Sequence, residues 1–325
     1  ILLVYIHVPI RVPCVKDCLM TDTYTCRICS SEAYTVVVQN IKDWEYGVAG
    51  IYDYRRCLKC SSVQIHPFPE VADLMAAYKV DYHGFVLPDQ KGAVYAYLFK
   101  IVEGCAAGEI KKMVNNQSHV LDVGCGIGLF LEKLRSLGIH DVEGIDFSEE
   151  AVRAVIKKGL KCFLGTFVDF QNEGRGYDLI AMNNYLEHTM NPLVELKKAR
   201  ALLKDKGALL GEVPNFDSLD RLLFKRYWGG NHVPRHTFQF TPENLTKILK
   251  QAGFTAILIN YPLNTSHFAL SFQNFFQRNC ADLKNNAYLI HGRDKYYSIF
   301  MVGLLPMNII FSFLKKTGSM RFCAS

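Results

Sequence analysis

The sequence lacks a cluster of basic residues. Its 37 lysines and arginines exceed its 31 acidic residues by a formal charge of only +6, and they are dispersed along the chain. Proteins that bind nucleic acid concentrate positive charge in one run of residues or on one face. The sequence therefore predicts no nucleic-acid partner.

No cleavable signal peptide is expected from residues 1–9. Residues 1–9 are apolar, but they have neither a basic leader nor a small-residue cleavage site. We therefore expect a cytoplasmic protein. In a reducing compartment, paired cysteines favour a bound metal over a disulfide.

Four of the eleven cysteines form two C-x2-C pairs near the N-terminus. Such pairs place four thiolates on two tight turns, which suits a tetrahedral zinc ion with no open position for chemistry. Strand-like runs at 34–38 and 50–55 lie between the pairs, as in a zinc ribbon. The alternative is two unrelated cysteine pairs. The predicted ligands of a structural zinc are Cys26, Cys29, Cys57 and Cys60.

From residue 118 onwards, strand-like and helix-like segments alternate. This alternation predicts an α/β fold with a Rossmann-like, doubly wound sheet that is mainly parallel. Helices are expected at 129–137, from Ser148, at 192–203 and at 242–252. The expected strands are 120–123, 142–145, 163–165, 177–182, 208–213, 254–261 and 320–324.

A glycine-rich turn follows the first of these strands. Gly124, Gly126 and Gly128 allow positive φ angles and a close approach of a ligand to the backbone. The acidic Asp122 precedes the turn, and Asp146 ends the next strand, where a carboxylate can accept both hydroxyls of a ribose. The glycines are spaced one residue tighter than in a dinucleotide site. An acidic residue before the turn would repel pyrophosphate and suits a ligand that carries an ammonium group.

In these residues the sequence resembles the class I S-adenosylmethionine-dependent methyltransferases. The similarity lies in V-L-D-V-G-C-G-I-G (120–128), G-I-D-F-S (144–148), V-D-F (168–170) and Y-D-L-I-A-M-N-N-Y-L-E-H (177–188). The paired cysteines and the segment W-G-G-N-H-V-P-R-H-T-F-Q-F (228–240) resemble the branch that contains ubiquinone-biosynthesis O-methyltransferases and bacterial methyltransferases of glycan and lipid pathways. The resemblance implies a seven-stranded sheet whose last strand is antiparallel, preceded by a small zinc ribbon.

The resemblance also implies how this cofactor is bound. The glycine turn, with Cys125 in it, would face the methionine portion, which Asp122 would help to orient. The ribose would lie on Asp146, and Asn183 would lie near the methionyl end. The adenine would contact Phe147, Asp169 and Phe170; a helix-capping role is the alternative for Asp169.

Methyl transfer to a hydroxyl needs a group that removes its proton, and histidine has a suitable pKa. Glu187 and His188 follow the fourth strand, while His232 and His236 lie in the 228–240 loop, which can close over the site. A structural pair is the alternative for Glu187–His188, and loop support is the alternative for His236. Relatives hold a metal on an acid, a Glu-His pair and a later histidine. Asn184 stands at the position of the first acid, which speaks against metal-assisted chemistry.

The division into domains follows from these segments. We expect a tail at 1–25, the zinc-ribbon module at 26–69, a helical linker or cap at 70–117, and the methyltransferase domain at 118–325. Helices at 70–82, with Tyr78 on an aromatic face, and at 92–107 can cover the ligand cleft. Within the apolar insert 262–318, the run 296–314 ends at Lys315 and Lys316. It is either a buried cap or a site of peripheral membrane contact.

We expect a methyltransferase that acts on a hydroxyl of a small-molecule, glycan or lipid-linked acceptor. Two other functions are open. A non-catalytic scaffold would combine the ribbon with a degenerate cofactor domain, although the intact acidic residues and glycines disfavour it. A nicotinamide-dependent oxidoreductase is disfavoured by the glycine spacing.

Overall fold

The fold contains two β-sheets and the helices that cover them. The computed structural model describes residues 23–78, 110–172, 174–277 and 302–325. The tail before residue 23, the predicted helix at 92–107 and residues 278–301 of the insert lie outside these ranges. The strands are β1 (Tyr34–Ile41), β2 (Tyr52–Cys57), β3 (Val63–His66), β4 (Val120–Val123), β5 (Val142–Asp146), β6 (Lys161–Leu164), β7 (Tyr177–Asn183), β8 (Leu203–Pro214), β9 (Phe238–Gln239), β10 (Ile257–Asn260) and β11 (Ser319–Ala324).

The larger sheet has seven strands in the order β10-β11-β8-β7-β4-β5-β6. β4, β5, β6, β7 and β8 pair in parallel, whereas β11 pairs antiparallel with both of its neighbours. The seven-stranded α/β sheet with an antiparallel last strand is therefore confirmed. The central strands β4 and β7 are short, mostly apolar and largely buried, as in a parallel sheet that is covered on both faces.

The helices begin where local capping favours them. Ser148 accepts a hydrogen bond from the backbone N–H of Ala151, and Thr241 and Asn244 form a capping box. The helices are α1 (Val71–Ala76), α2 (Leu129–Ser136), α3 (Glu149–Lys157), α4 (Pro192–Leu202), α5 (Leu219–Phe224), α6 (Pro242–Gln251), α7 (Ser266–Gln277) and α8 (Leu305–Phe313).

The smaller sheet has the order β1-β2-β3-β9, and all three of its pairs are antiparallel. β1 and β2 correspond to the strand-like runs expected between the cysteine pairs. β9 comes from the segment between β8 and β10 and pairs with β3 through Val63 opposite Gln239. The N-terminal sheet is thus completed by a strand from the second half of the chain.

A shared hydrophobic core lies between the N-terminal sheet and the 228–240 loop. Trp228 and Val233 of the loop pack with Tyr54 and Ile65 of the sheet, and all four are fully buried. The loop therefore forms part of the interior of the structure. The sequence analysis predicted only that this loop can close over the site.

The apolar insert contributes α7 and α8. Pro306 stands in the first turn of α8, which follows the preference of proline for that position. Of the helices within the described ranges, none has the length and apolar character needed to cross a membrane.

Candidate methyl-transfer site

The glycine turn joins β4 to α2. The φ angles of Gly124, Gly126 and Gly128 are 72°, 51° and 79°, which lie in the left-handed region. A Cβ atom on Gly124 would lie 2.7 Å from the ring of Tyr185, so a side chain would not fit there. The backbone N–H groups of Gly124 and Cys125 both donate to the carbonyl of Ile145, which ties the turn to β5.

Asp146 ends β5 directly beside this turn. Its Oδ2 accepts a 2.9 Å hydrogen bond from the backbone N–H of Gly126, and its Oδ1 accepts one of the same length from Ser148. Burial raises the pKa of Asp146, while these backbone hydrogen bonds act against the rise. The carboxylate is therefore fixed in orientation and retains acceptor capacity on both oxygens.

Asp122 lies on β4 and is 3% exposed. Burial, followed by repulsion from Asp146, raises its pKa to about 8. A carboxyl group in this environment ionises readily only when a cationic group comes close to it.

Tyr78 contacts both halves of the site. Its ring lies 5.1 Å from that of Phe147 in an edge-to-face arrangement, and its hydroxyl lies 2.8 Å from Nδ1 of His188. Tyr78 directly follows the C-cap of α1, so the end of this helix lies over the site. The sequence placed Tyr78 on a helix that can cover the cleft, but gave no indication of its contact with the histidine.

The other predicted cofactor residues lie at neighbouring strand ends. Asn183 ends β7 and pairs with Glu212 of β8. Asp169 lies in the turn after β6, where it accepts a hydrogen bond from the hydroxyl of Thr166. The ring of Phe170 packs into the hydrophobic core beside β7.

Three histidines form a cluster after β7. The ring centroids of His188 and His236 are 4.6 Å apart, and His232 lies 6.4 Å from His188 and 4.9 Å from His236. Glu187 is 1% exposed, and neither of its carboxylate oxygens has a hydrogen-bond partner among the described residues. The structure thus brings together all four residues predicted to take part in catalysis.

Hydrogen bonds assign the proton positions in these rings. Nδ1 of His236 lies 2.8 Å from the carbonyl of Gly230, and Nδ1 of His188 lies 3.2 Å from the carbonyl of Arg235. A carbonyl can only accept, so Nδ1 of His236 carries the proton and its Nε2 keeps a lone pair. Nδ1 of His188 also lies 2.8 Å from the hydroxyl of Tyr78, which can donate or accept. The proton of His188 lies on Nδ1 when it is donated to the carbonyl of Arg235, and on Nε2 when Tyr78 donates to Nδ1. His232 differs because its Nε2 accepts from Nε of Arg235 and its Nδ1 contacts Glu45.

The electrostatics keep the rings neutral. Burial, with a contribution from His232, lowers the pKa of His188 to about 3. Burial and the neighbouring histidines lower the pKa of His236 well below its ordinary value. Burial raises the pKa of Glu187 to about 8. Neutral His188 and His236 can accept a proton from a bound hydroxyl group, and their lowered pKa values make them weaker bases than an exposed imidazole.

The same groups could act as metal ligands. One carboxylate oxygen of Glu187 and one ring nitrogen each of His188 and His236 lie within 4.8 Å of one another. The unpaired carboxylate and the imidazoles with hydrogen-bonded Nδ1 atoms are the kind of donor set that binds a divalent cation. Asn184, at the position of the acid in relatives, is exposed and has a φ of 50°.

The four N-terminal cysteines form a second cluster, away from the histidines in the chain. The Sγ atoms of Cys26 and Cys60 are 3.5 Å apart, as are those of Cys29 and Cys57. All four Sγ atoms lie within 4.8 Å of one another, and none is in a disulfide. A tetrahedral zinc ion with bonds of about 2.3 Å places its sulfur ligands roughly 3.8 Å apart, so this geometry fits zinc.

Three contacts near the site had no signal in the sequence. Asp43 and Glu45 lie in a short loop after β1. Asp43 bonds to Arg235 and Glu45 bonds to His232, both in the 228–240 loop. The third contact joins Cys125 of the glycine turn to Cys162 of β6, with 3.5 Å between the Sγ atoms. Each contact joins residues that are distant in sequence, and no local pattern marks them.

Comparison with known proteins places this site in context. Residues 98–259 match the family described as "Methyltransferase domain". The ubiquinone biosynthesis O-methyltransferase of Paraburkholderia xenovorans (strain LB400) is 34% identical over 97 residues, which cover 27% of this chain and 40% of that protein. The protein of the same name from Bradyrhizobium diazoefficiens is 30% identical over 142 residues, which cover 40% of this chain and 56% of that protein. The chain thus spans about half the length of these two relatives.

A solved structure supports the fold. A SAM dependent methyltransferase from Archaeoglobus fulgidus superimposes with a TM-score of 0.50 and 19% identity, over 75% of this chain and 99% of that chain. At this identity the similarity concerns the fold alone. The similarity supports the α/β fold of the larger sheet.

Proposed function

We propose that this chain, which belongs to the S-adenosylmethionine-dependent methyltransferase family, transfers the methyl group of that cofactor to a hydroxyl oxygen of a small-molecule, glycan or lipid-linked acceptor. The observation that carries the proposal is the position of two neutral imidazoles, His188 and His236, beside a strand end next to the glycine turn. The ubiquinone O-methyltransferases among the relatives agree with a small-molecule hydroxyl acceptor.

The cofactor would be held by the turn after β4 and the end of β5. Asp146, fixed by Gly126 and Ser148, would accept hydrogen bonds from the ribose hydroxyls. Asp122 would compensate the ammonium group of the methionine portion, which explains why an acidic residue is buried there. Around the adenine we assign Phe147, Asp169 and Phe170, and near the methionyl end Asn183.

When bound, S-adenosylmethionine supplies an electrophilic methyl group on its sulfonium sulfur. The protein then has to align the acceptor and remove its proton. His236 suits the second task, because its Nε2 keeps a lone pair. His188 suits it when its proton lies on Nδ1, toward the carbonyl of Arg235. His232 does not, since both of its ring nitrogens are engaged by Arg235 and Glu45. Glu187 would either receive the proton in turn or orient the acceptor hydroxyl.

A divalent cation on Glu187, His188 and His236 is a second possibility for the same reaction. It is favoured by the unpaired carboxylate of Glu187. Such an ion would bind the acceptor oxygen and lower the pKa of its hydroxyl. It differs from the first mechanism in one respect that can be measured, since a chelator would stop methyl transfer even in protein that keeps its cysteine-bound zinc.

We also propose a structural zinc ion bound by the four N-terminal cysteines. The spacing of the Sγ atoms supports this assignment. With four thiolates the ion would have no open position, so its role would be to hold the turns that frame β1, β2 and β3. On this proposal the ribbon module 26–69 and the methyltransferase domain 118–325 act as one unit, and 70–117 covers the cleft.

Peripheral membrane contact through 296–316 also belongs to the proposal. Within its described part, α8 exposes large apolar side chains, with Phe313 at 83% and Ile310 at 58%. Lys315 and Lys316 follow directly, and this combination suits an anionic lipid surface. Flotation with vesicles of phosphatidylglycerol and phosphatidylcholine tests it. A Phe313→Asp/Ile310→Asp variant should lose flotation, whereas equal flotation of both proteins would argue against contact here.

Calorimetry and a transfer assay test the main proposal. We expect S-adenosylmethionine and its demethylated product to bind with one site per chain, and NAD not to bind. Tritiated methyl should then pass to one member of a panel of catechols, phenols and lipid or glycan extracts. Folded protein that binds neither form of the cofactor would refute the proposal. Binding without transfer to any fraction would favour the non-catalytic scaffold.

A further inference from the structure

Arg235 lies at the centre of a buried ionic network. Its side chain is fully buried, and its guanidinium group bonds to three different segments. Nη2 lies 3.0 Å from Oδ2 of Asp43, Nη1 donates to the carbonyl of Ala77 at 3.1 Å, and Nε donates to Nε2 of His232 at 2.8 Å. The face of the guanidinium lies 4.5 Å from the ring centroid of Tyr46.

Backbone hydrogen bonds within the loop after β1 hold the N-terminal part of this network in place. Asp43 is buried, and its Oδ1 accepts hydrogen bonds from the backbone N–H groups of Glu45 and Tyr46, each 3.1 Å long. Its Oδ2 accepts another from Val48. The loop after β1 therefore holds the carboxylates of Asp43 and Glu45 in place for Arg235 and His232.

The network determines where the proton lies in His232 and offers a partner to His188. Because Nε of Arg235 donates to Nε2 of His232, the proton of that ring must be on Nδ1, where it is donated to Glu45. The backbone carbonyl of Arg235 lies 3.2 Å from Nδ1 of His188, which Tyr78 also contacts. Arg235 thus sets the proton position of one ring through its side chain and contacts another through its main chain.

The same residue fixes the cover of the site. Arg235 bonds to the carbonyl of Ala77 at the end of α1. The next residue, Tyr78, contacts both Phe147 and His188. A displacement of Arg235 would therefore move the side chain that joins the nucleotide side of the site to the histidine side.

We propose that Arg235, held by Asp43 and assisted by Glu45, is a positioning residue of the methyl-acceptor site, so that the N-terminal sheet takes part in orienting the histidines that act in transfer. The inference rests on the proposed function for its catalytic meaning. Arg235 acts through His232, His188 and Tyr78. A buried ion network is weak support for stability alone, because apolar residues of similar volume often stabilise a fold as well or better. Orientation explains why charged groups are present here.

Arg235→Lys is the first test. Lysine keeps the charge but cannot reach Asp43, Ala77 and His232 at once with a single nitrogen. In protein labelled with 15N-histidine, long-range proton–nitrogen correlation spectra report which ring nitrogen carries the proton. In the wild type we expect His232 and His236 with the proton on Nδ1. In Arg235→Lys we expect His232 to become a mixture of tautomers, while His236, held by Gly230, stays unchanged.

Matched variants separate positioning from folding. Glu45→Gln keeps an oxygen that can accept from Nδ1 of His232, so the tautomer should survive. Glu45→Leu removes that acceptor but leaves the bond from Arg235 to Nε2, so the proton should stay on Nδ1 there as well. Asp43→Asn carries the test if Arg235→Lys does not fold. The exposed Arg153, paired with Glu149 on α3, supplies the control Arg153→Lys, which should behave as the wild type.

The binding and rate measurements decide the functional meaning. For Arg235→Lys we expect the Kd for S-adenosylmethionine to stay within about twofold of the wild-type value. We expect kcat to fall at least tenfold, measured with the acceptor of the panel that the wild type methylates. A wild-type His232 with its proton on Nε2 would overturn the proposal, as would unchanged kcat or a parallel loss of cofactor binding. If the wild type does not bind the cofactor, the proposed function fails, and the tautomer pattern still decides whether Arg235 orders the histidines.

Discussion

The backbone N–H of Gly126 donates a 2.9 Å hydrogen bond to Oδ2 of Asp146, so the glycine turn after one strand is joined to the carboxylate that ends the next. The bond makes the turn and the carboxylate one binding element. Loss of either partner should affect both sides of the cofactor site. The first prediction follows from this relationship.

Asp146→Ala should weaken the binding of S-adenosylmethionine by one to two orders of magnitude. It removes the acceptor for the ribose hydroxyls and frees the N–H of Gly126, and a hydrogen bond to a charged group contributes roughly 1.5–3 kcal/mol. Calorimetric titration of both proteins measures the change. Glu149→Ala removes an exposed carboxylate three residues away in sequence and should bind normally. Equal affinities for Asp146→Ala and the wild type would refute the assignment of Asp146.

Asp122→Asn should stabilise the free protein at pH 8 and yet weaken cofactor binding. The pKa of Asp122 is about 8 in the fold, above its ordinary value of 3.8. The unfolded chain therefore releases this proton first, and the wild type loses stability as the pH rises from about 4 to about 8. Asparagine does not titrate, so the variant should gain at least about 1 kcal/mol at pH 8. The gain should vanish near pH 4.

Urea unfolding at pH 5 and pH 8 measures the stability difference. Calorimetry in buffers of different ionisation enthalpy measures the linked proton, because an ammonium group beside Asp122 would lower its pKa and release a proton at pH 7. A stability difference that does not change with pH would contradict the pKa shift. Undiminished cofactor affinity of Asp122→Asn would contradict its role beside the methionine portion.

The sequence was sufficient for the larger sheet because its signals are local. Apolar runs, caps such as Ser148 and the glycine turn each lie within a few consecutive residues. Boundaries were less certain: the third strand was expected at 163–165 and is Lys161–Leu164, since its side chains are largely exposed and lack a clear apolar pattern. Contacts between residues that are far apart in the sequence could not be predicted. Neither the pairing of β9 with β3 nor the Asp43–Arg235 pair leaves a periodic trace.

Removal of the cysteine ligands should impair methyl transfer more than cofactor binding. We expect about one zinc per chain by elemental analysis, and none in Cys57→Ser/Cys60→Ser, because two remaining thiolates do not hold a structural zinc. β2 ends at Cys57, and β3 pairs with β9, which follows His232 and His236 in the 228–240 loop. The loss of zinc should therefore disturb the positions of His232 and His236 more than that of the glycine turn.

The matched control for this variant is Cys162→Ser, which removes a partly exposed thiol outside the cluster and should retain zinc. Zinc-free wild-type protein with native near-ultraviolet circular dichroism would refute the zinc assignment. A Cys57→Ser/Cys60→Ser protein that lost cofactor affinity and transfer to the same extent would contradict the coupling through β9.

His188→Asn and His236→Asn should lower kcat by about 10²- to 10⁴-fold if the replaced ring is the one that accepts the proton, a typical contribution of general base catalysis. Each should leave the Kd for S-adenosylmethionine nearly unchanged, since the cofactor site is built from the turn after β4 and from Asp146. His232→Asn should lower kcat less, because the nitrogens of His232 are already bonded to Arg235 and Glu45.

A chelator such as EDTA distinguishes the two mechanisms in the wild type. Unchanged transfer supports a histidine base. Loss that magnesium restores, in protein that still holds its cysteine-bound zinc by elemental analysis, supports a cation on Glu187, His188 and His236, whereas loss that accompanies release of that zinc reports on the ribbon. If neither His188→Asn nor His236→Asn slowed transfer, the cluster would be a structural support for the loop, and the acceptor proton would have to leave by another route.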